Sequence, residues 1–301
     1  IHIKDLCIHV NKDNRTLIEN LSFNMSKNDK YAVIGLEGSG KSTLLKAIYD
    51  KKLLAHCNVS GDITVNGKIG YLEQSLLDTW TNVNVYDFLL KKAPDISIEA
   101  DDYQKLNYLD KYLALFQLTS FNEKLPLNSY SGGELIKLGL IRVLLGEPDI
   151  FLLDEPTNDL DLKTVMFLEN FILTEIRPVL FISHDEALLE NTANGIINLS
   201  QIHKRMKPLS EFQKMGYDDF KIFRNMSINK KEIISKKQRS DYEKKMRHFR
   251  EIYSKVEYRQ NQAVRDPEGG RLLKKKIKAL KSTEKRLLKE KNSFLDIPER
   301  P

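Results

Sequence analysis

Gly35-Leu36-Glu37-Gly38-Ser39-Gly40-Lys41-Ser42 decides how the rest of the chain is read. An apolar run, Tyr31-Ala32-Val33-Ile34, precedes it, and a helix-like run, Thr43-Leu44-Leu45-Lys46-Ala47-Ile48, follows. The pattern is strand, glycine-rich loop, helix start, the setting in which G-x-x-x-x-G-K-[S/T] cradles phosphates. Glycine permits backbone conformations that side chains would block. Bare N–H groups at a helix N-terminus form a concave, electropositive nest for a triphosphate. Lys41 can reach the β- and γ-phosphates, and the Ser42 hydroxyl suits a Mg²⁺ coordination position. A strand-to-helix turn that needs glycine for geometry alone would not require Lys-Ser at its end. The loop predicts nucleotide binding without saying which machine uses it.

Charge is distributed unevenly around this loop. Residues 1–200 carry 19 Lys/Arg and 28 Asp/Glu, whereas residues 201–301 carry 29 and 14. The overall balance of +6 therefore hides an acidic globular part and a strongly basic tail. Such a tail suits either contact with a polyanion or a well-solvated coiled coil. Two cysteines, Cys7 and Cys57, offer neither metal-ligand spacing nor a disulfide framework, so a reducing, cytoplasmic location is expected. No apolar run approaches the roughly 18 residues of a membrane span. No secretory leader precedes the first expected strand. The chain opens on Ile1 rather than Met, as an excised piece would.

Taken in order, Ile1, Ile3, Leu6, Ile8 and Val10, a polar turn at Asn11–Arg15, then Leu17, Leu21, Phe23 and Met25 predict a hairpin or small antiparallel sheet. Ile63-Thr64-Val65 and Ile69-Gly70-Tyr71-Leu72 flank Asn66-Gly67, which predicts a second hairpin ending in Glu73-Gln74. Between about 82 and 146 apolar residues recur at helical spacing, including Val85, Phe88, Leu89, Leu106, Leu109, Tyr112, Leu113, Leu115 and Phe116. A helical subdomain is expected there. Ser131-Gly132-Gly133-Glu134 opens a helix over Leu135–Leu145 that Gly146-Glu147-Pro148 stops. Asp149-Ile150-Phe151-Leu152-Leu153-Asp154-Glu155-Pro156 and Pro178–Asp185 each read as a strand buried on both faces with a polar tip. Such tips are where open α/β sheets bind ligands. A helix is expected near 162–175, and a last strand and turn over 196–210. Beyond Tyr217 two Lys/Arg/Glu-rich helical arms, about 218–263 and 271–293, flank Asp266-Pro267-Glu268-Gly269-Gly270, the pattern of a helical hairpin.

The order and spacing of Gly35–Ser42, Gln74, Ser131-Gly132-Gly133-Glu134, Leu153-Asp154-Glu155-Pro156 and His184 resemble the ATP-binding-cassette ATPases. The Glu155-Pro156-Thr157-Asn158-Asp159-Leu160-Asp161 segment and the charged hairpin look like the ABC-F branch. The resemblance implies an α/β fold: a P-loop NTPase cassette with a mixed sheet, a small antiparallel subdomain and a helical subdomain, followed by a long α-helical hairpin. It places the cassette at 1–205 and a basic linker at 206–301, with a tip near 264–270. It implies ATP and Mg²⁺ as cofactors, with Ser42, Gln74 and Asp154 serving the metal, Asp154 through water. Glu155 resembles the general base for the attacking water, assisted by Lys41 and His184 at the γ-phosphate. The nucleotide would rest on Gly35–Thr43 and Gln74. Ser131, Gly132 and Gly133 would close over the nucleotide of a facing cassette, in the same chain or in a homodimer mate, with Asp159 to Asp161 at the seam. Ser131 with Glu134 also forms an ordinary helix cap, and both readings can hold at once.

The branch acts on the ribosome and has no membrane domain. The resemblance thus implies rRNA and tRNA as partners, and a translation factor or antibiotic-resistance protein as the function. This chain would match the first cassette and linker only. The alternative it carries is the ATP-binding subunit of an ABC transporter. Tyr130 and Asp159 depart from the family pattern, and the usual adenine-stacking aromatic is replaced by His9 or Val10. Tyr242, Phe249, Tyr253 and Tyr258 fit either base stacking or the hairpin seam.

Overall fold

A computed structural model describes residues 1–13, 15–74, 76, 80, 83–91, 93–118, 122, 124–158, 160–202, 207–262, 267–291 and 294. The chain divides into two compact units, Ile1–Lys221 and Ile222–Pro301.

Two sheets organise the first unit. Strands β1 (His2–Val10), β2 (Thr16–Asn24) and β4 (Cys57–Thr64) form an antiparallel sheet in the order β2-β1-β4. Strands β3 (Lys30–Gly35), β5 (Ile69–Leu72), β6 (Ile150–Asp154), β7 (Val179–Ile182), β8 (Gly195–Ile202) and β9 (Lys207–Gln213) form the second, ordered β5-β6-β7-β3-β8-β9. Its pairs are parallel except β8 with β9. The mixed sheet and the small antiparallel subdomain are therefore as the resemblance implied.

Successive residues of a strand point to opposite faces, so the central strands feed two cores. Tyr31, Val33, Ile150, Leu152, Leu180, Ile182, Ile197 and Leu199 face the antiparallel sheet and helix α1 (Lys41–Tyr49). Ala32, Phe151, Leu153, Val179, Phe181 and Ile196 face the helical side. That side is built from α2 (Val85–Leu90), α3 (Leu106–Leu115), α4 (Gly132–Leu145), α5 (Leu162–Thr174) and α6 (Glu186–Thr192). Double burial explains why these strands read as unbroken apolar runs rather than alternating ones. Side-chain caps start the helices where the sequence has Asn, Ser or Asp. Asn84 accepts from the Asp87 amide, Ser131 from Glu134, Asp161 from Thr164 and Asp185 from Leu188.

Three expectations are corrected. Asn66-Gly67 is not a hairpin turn: β4 pairs with β1, whereas β5 pairs in parallel with β6 from Ile69↔Ile150 to Leu72↔Leu153. Gly67, at φ 122°, carries the chain from one sheet to the other, and the Asp149 carboxylate fixes the crossing by accepting from the Lys68 amide at 2.7 Å. Leu115 lies in α3 as the spacing predicts, 60% exposed and outside the core that Leu109 and Phe116 enter. The globular unit also continues past 205. Strand β9 hydrogen-bonds along β8 from Ile196↔Gln213 to Ile202↔Lys207, and Phe220 is buried in the helical-side core.

The second unit holds α7, which spans Tyr217–Gln262 across the division, and α8 (Pro267–Lys291). At 1.5 Å per residue these are about 69 Å and about 38 Å long. The third correction concerns the breaker. Pro267 opens α8 rather than preceding it, as suits a residue with no N–H to lose in a first turn, and Gly269 and Gly270 fall inside that turn. Residues 264–266 of the expected tip lie outside the described residues. Tyr242 meets Phe294 edge-on at 5.6 Å, and Phe249 lies 5.8 Å from Tyr253. Lys245 pairs with Glu290. Phe249 and Leu287 are buried, so these aromatics sit in the hairpin's interior, while Tyr258 is 64% exposed.

Candidate functional site

The tips of β3, β5, β6 and β7 converge on one edge of the large sheet, and several of the side chains singled out by sequence meet there. A cleft of ≈ 540 Å³ is lined by Glu37, Gly38, Gly40, Lys41, Ser42, Thr43, Gln74, Glu155 and His184. Residues separated by more than a hundred positions in sequence thus share one concavity.

The loop between β3 and α1 is held by glycines in conformations closed to other residues. Gly38 has φ 71° and Gly40 φ 100°. Gly35 is confined for a different reason: a Cβ there would run into the Leu199 carbonyl and stand 2.7 Å from the Ser39 hydroxyl. Gly35→Ala is therefore expected to cost about 3 kcal/mol and to displace the loop. A lowered urea midpoint together with lost nucleotide binding is the expected result, and an unchanged midpoint would show the loop to be more yielding than this packing implies.

Lys41 is only 5% exposed, and its Nζ donates to the Gly35 and Leu36 carbonyls at 3.0 and 3.4 Å. Burial pulls its pKa down, against the pull of Glu155, Asp154 and Glu37. Leu36 is 61% exposed and Ser39 is buried, its hydroxyl without a hydrogen-bond partner among the described residues.

Asp154, at the end of β6, is 2% exposed. Its Oδ1 accepts from Ser42 Oγ at 3.0 Å, and its Oδ2 accepts from Tyr71 OH at 3.0 Å. Burial raises its pKa, and the two hydroxyl hydrogen bonds oppose that rise. Glu155 follows in the left-handed region at φ 47°, a strained setting for a residue with a Cβ. The strain turns its carboxylate from the strand into the cleft. Gln74 Nε2 and Asn158 Nδ2 both donate to Glu155 Oε2, at 2.8 and 2.7 Å. His184 Nε2 stands 3.7 Å from Glu155 Oε1 and is 56% exposed.

Ser131, Gly132 and Gly133 do not line the cleft. Ser131 and Glu134 form the reciprocal cap, with Ser131 N donating to Glu134 Oε2 at 3.0 Å. Gly133 packs so closely on Thr164 that a Cβ would stand 2.6 Å from its hydroxyl. Asp161 caps α5, while Asp159 lies outside the described residues. His9 bonds Thr16 at 3.0 Å and lines no part of the cleft. Among the described residues no cluster of three or more His, Cys, Asp or Glu could hold a metal.

Three contacts escaped the sequence. Arg15 donates to the Gly38 carbonyl at 2.8 Å. It is a lone cation in a polar turn, with no pattern to mark it. Asn158 reaches back three residues to Glu155, and its only signal was its place in Pro156-Thr157-Asn158. Tyr71 was legible in principle, because it puts a hydroxyl into an apolar strand and a buried phenol seeks a partner.

A family model described as "ABC transporter" matches residues 18–158. Relatives extend the match. The ATP-binding protein Uup of Buchnera aphidicola subsp. Acyrthosiphon pisum is 37% identical over 62% of this chain and 31% of its own length. Residues 18–158 therefore carry an ATP-binding-cassette domain. Elongation factor 3 of Pneumocystis carinii is 33% identical to this cassette protein over 66% of the chain and 18% of the relative. Ribosome protection protein VmlR of Bacillus subtilis is 31% identical over 64% and 33%. These relatives are ABC-F proteins, the branch that Glu155–Asp161 and the charged hairpin resemble. The cassette chain spans at most about a third of their length. Solved structures agree on the fold. A nucleotide-free cassette from an ABC transporter has TM-score 0.54 at 18% identity, covering 73% of this chain and 94% of that one. The ATP-binding subunit of an ABC transporter has TM-score 0.55 at 21% identity, covering 72% and 90%. No helix among the described residues is long and apolar enough to cross a membrane.

Proposed function

We propose that the cleft binds and hydrolyses ATP, and that the cycle drives a ribosome-directed ABC-F protein whose basic hairpin contacts rRNA or tRNA. One observation carries the chemistry: Glu155, fixed by Gln74 and Asn158, shares a cleft with Lys41 and the loop glycines. In this reading Gly35–Thr43 hold the triphosphate, and Lys41 Nζ, which donates to the loop's own Gly35 and Leu36 carbonyls, exchanges those acceptors for phosphate oxygens. The buried, unpartnered Ser39 hydroxyl fits such a loop.

The residues also fit Mg²⁺, a hard cation that takes oxygen ligands. Ser42 and Gln74 offer side-chain oxygens directly, and Asp154 a carboxylate through water. The cation supplies charge neutralisation at the β- and γ-phosphate oxygens. Glu155 orients the attacking water and takes its proton as the oxygen bonds to the γ-phosphorus. The bond to the bridging oxygen breaks, leaving ADP and phosphate. His184, beside Glu155, contacts the γ-phosphate. Ser131, Gly132 and Gly133 lie away from this cleft, as a segment serving a facing cassette would. A second cassette, in the same chain or in a homodimer mate, completes the site.

The ribosomal part rests on the 29 Lys/Arg against 14 Asp/Glu in residues 201–301 and on relatives named as an elongation factor and a ribosome protection protein. Whether the role is in translation generally or in antibiotic resistance follows from the site that the tip reaches. Likeness to transporter cassettes supports a second reading, as a transporter subunit, but a basic hairpin of this length has no task there. Co-sedimentation separates the two. Binding to ribosomes with a non-hydrolysable ATP analogue, and not without it, is the expected result. Association with membranes instead would select the transporter.

A further inference from the structure

We propose that Tyr71 is a positioning residue for Asp154, holding one carboxylate oxygen so that the other is presented to the cation that accompanies ATP. The proposal rests on the nucleotide reading of the cleft. Asp154 is nearly sealed from water, and a buried carboxylate needs a donor at each oxygen. The protein supplies two hydroxyls, Ser42 at Oδ1 and Tyr71 at Oδ2, each at 3.0 Å.

The two hydroxyls differ in what else they can do. Ser42 lines the cleft and is itself a candidate cation ligand, so its hydroxyl has a second task. Tyr71 lines no part of the cleft. Its ring lies 5.1 Å from that of Tyr49, at the far end of the helix that begins with Lys41 and Ser42. Register fixes the reach. Tyr71 pairs with Leu152 across the parallel ladder, and side chains two apart share a face, so Asp154 is its diagonal neighbour. Leu72 points into the other core and cannot substitute.

Tyr71 therefore keeps its hydrogen bond when Ser42 gives its own up. It fixes the rotation of the carboxylate, so that Oδ1 faces the cleft whether or not a cation is there. Outer-shell donors of this kind typically govern metal affinity by 10- to 100-fold, far more than they govern the rest of a site. The role predicts a split. Removing the hydroxyl should weaken the contribution of the cation to ATP binding and spare binding of the nucleotide alone.

The test is titration of a fluorescent, non-hydrolysable ATP analogue into the full chain, in EDTA and at rising Mg²⁺. Y71F keeps the ring and its packing on Tyr49. Affinity in EDTA should match that of the unaltered chain, while the Mg²⁺ concentration for half-maximal enhancement should rise about tenfold. An unchanged Mg²⁺ midpoint would leave Tyr71 as packing only. Equal losses with and without Mg²⁺ would make it a general scaffold residue and overturn the proposal. A second measurement covers any loss of stability in Y71F. The urea midpoints of Y71F, D154N and the double variant form a cycle, in which loss of the hydroxyl should matter less once Asp154 is replaced. Identical effects in both backgrounds would show that Tyr71 does not act through Asp154. If the unaltered chain binds no analogue under either condition, the nucleotide reading itself fails, a result distinct from all of these.

Discussion

Glu155→Gln should bind ATP as the unaltered chain does and lose turnover by about 10²–10⁴-fold, the usual share of a general base. The geometry says why binding survives. Both Gln74 and Asn158 donate to the same oxygen, Oε2. A glutamine can place its carbonyl oxygen there and accept both hydrogen bonds, so the strained backbone at φ 47° keeps its restraints. What the amide lacks is a basic oxygen at the Oε1 position, on the side of His184. Water can still enter, but nothing takes its proton. Under the proposed ribosomal function, a protein that binds ATP without consuming it should stay closed and accumulate in the ribosome-bound state. Single- and multiple-turnover phosphate release, beside analogue affinity, reads both halves of the expectation. Multiple turnover at the normal rate would remove Glu155 from the role and point to a base elsewhere. The assay needs a partner cassette, since the Ser131 segment does not reach its own cleft.

How much of this was visible in the sequence depends on whether the signal was local. The loop Gly35–Ser42, the buried strands at 150–154 and 179–182 and the cap at Ser131 are short patterns whose physics lies within a few residues. Each stands in the structure where the sequence put it. Asn66-Gly67 failed because a turn signal specifies that the chain bends, not which sheet receives the next strand. Both its flanks are strands, but β1 and β6 compete for them. The end of the globular unit was set too early because β9, Lys207–Gln213, has a polar, weakly alternating sequence. Its place depends on pairing with β8. Leu115 illustrates a third limit. Helical spacing names a face, yet the last turn of α3 passes beyond what that face packs on. In the cleft, the residues given chemical roles under the proposed function were named from motifs, and those that hydrogen-bond to them were not. Tyr71 acts through one hydrogen bond across the fold and Asn158 through one that reaches back three residues, and no spacing rule records either.

The second large effect is expected from the hairpin. Lys274, Lys278, Lys281, Lys285 and Lys289 are all exposed and recur at three- and four-residue intervals along α8. At 3.6 residues per turn they form one stripe, about 22 Å long. The stripe is distinct from the helix's inner side, where Leu273, Ile277 and Leu280 are half-buried and Leu287 is buried. Apolar packing and charge thus occupy different faces, which lets the charges be removed without loosening the hairpin. If the stripe tracks a phosphate backbone, each lysine releases counterions on binding. Changing all five to Gln should lower the slope of log affinity against log salt by about three to five. Ribosome binding should fall steeply at physiological ionic strength while ATP affinity stays unchanged. Lys275 and Lys276 lie off the stripe and provide the control. Their loss should matter less per charge, since only general attraction is removed. Equal losses per charge at both sets would mean that the basic hairpin attracts RNA diffusely and presents no ordered contact face. Unchanged binding in the five-fold variant would mean that the hairpin takes no part in it.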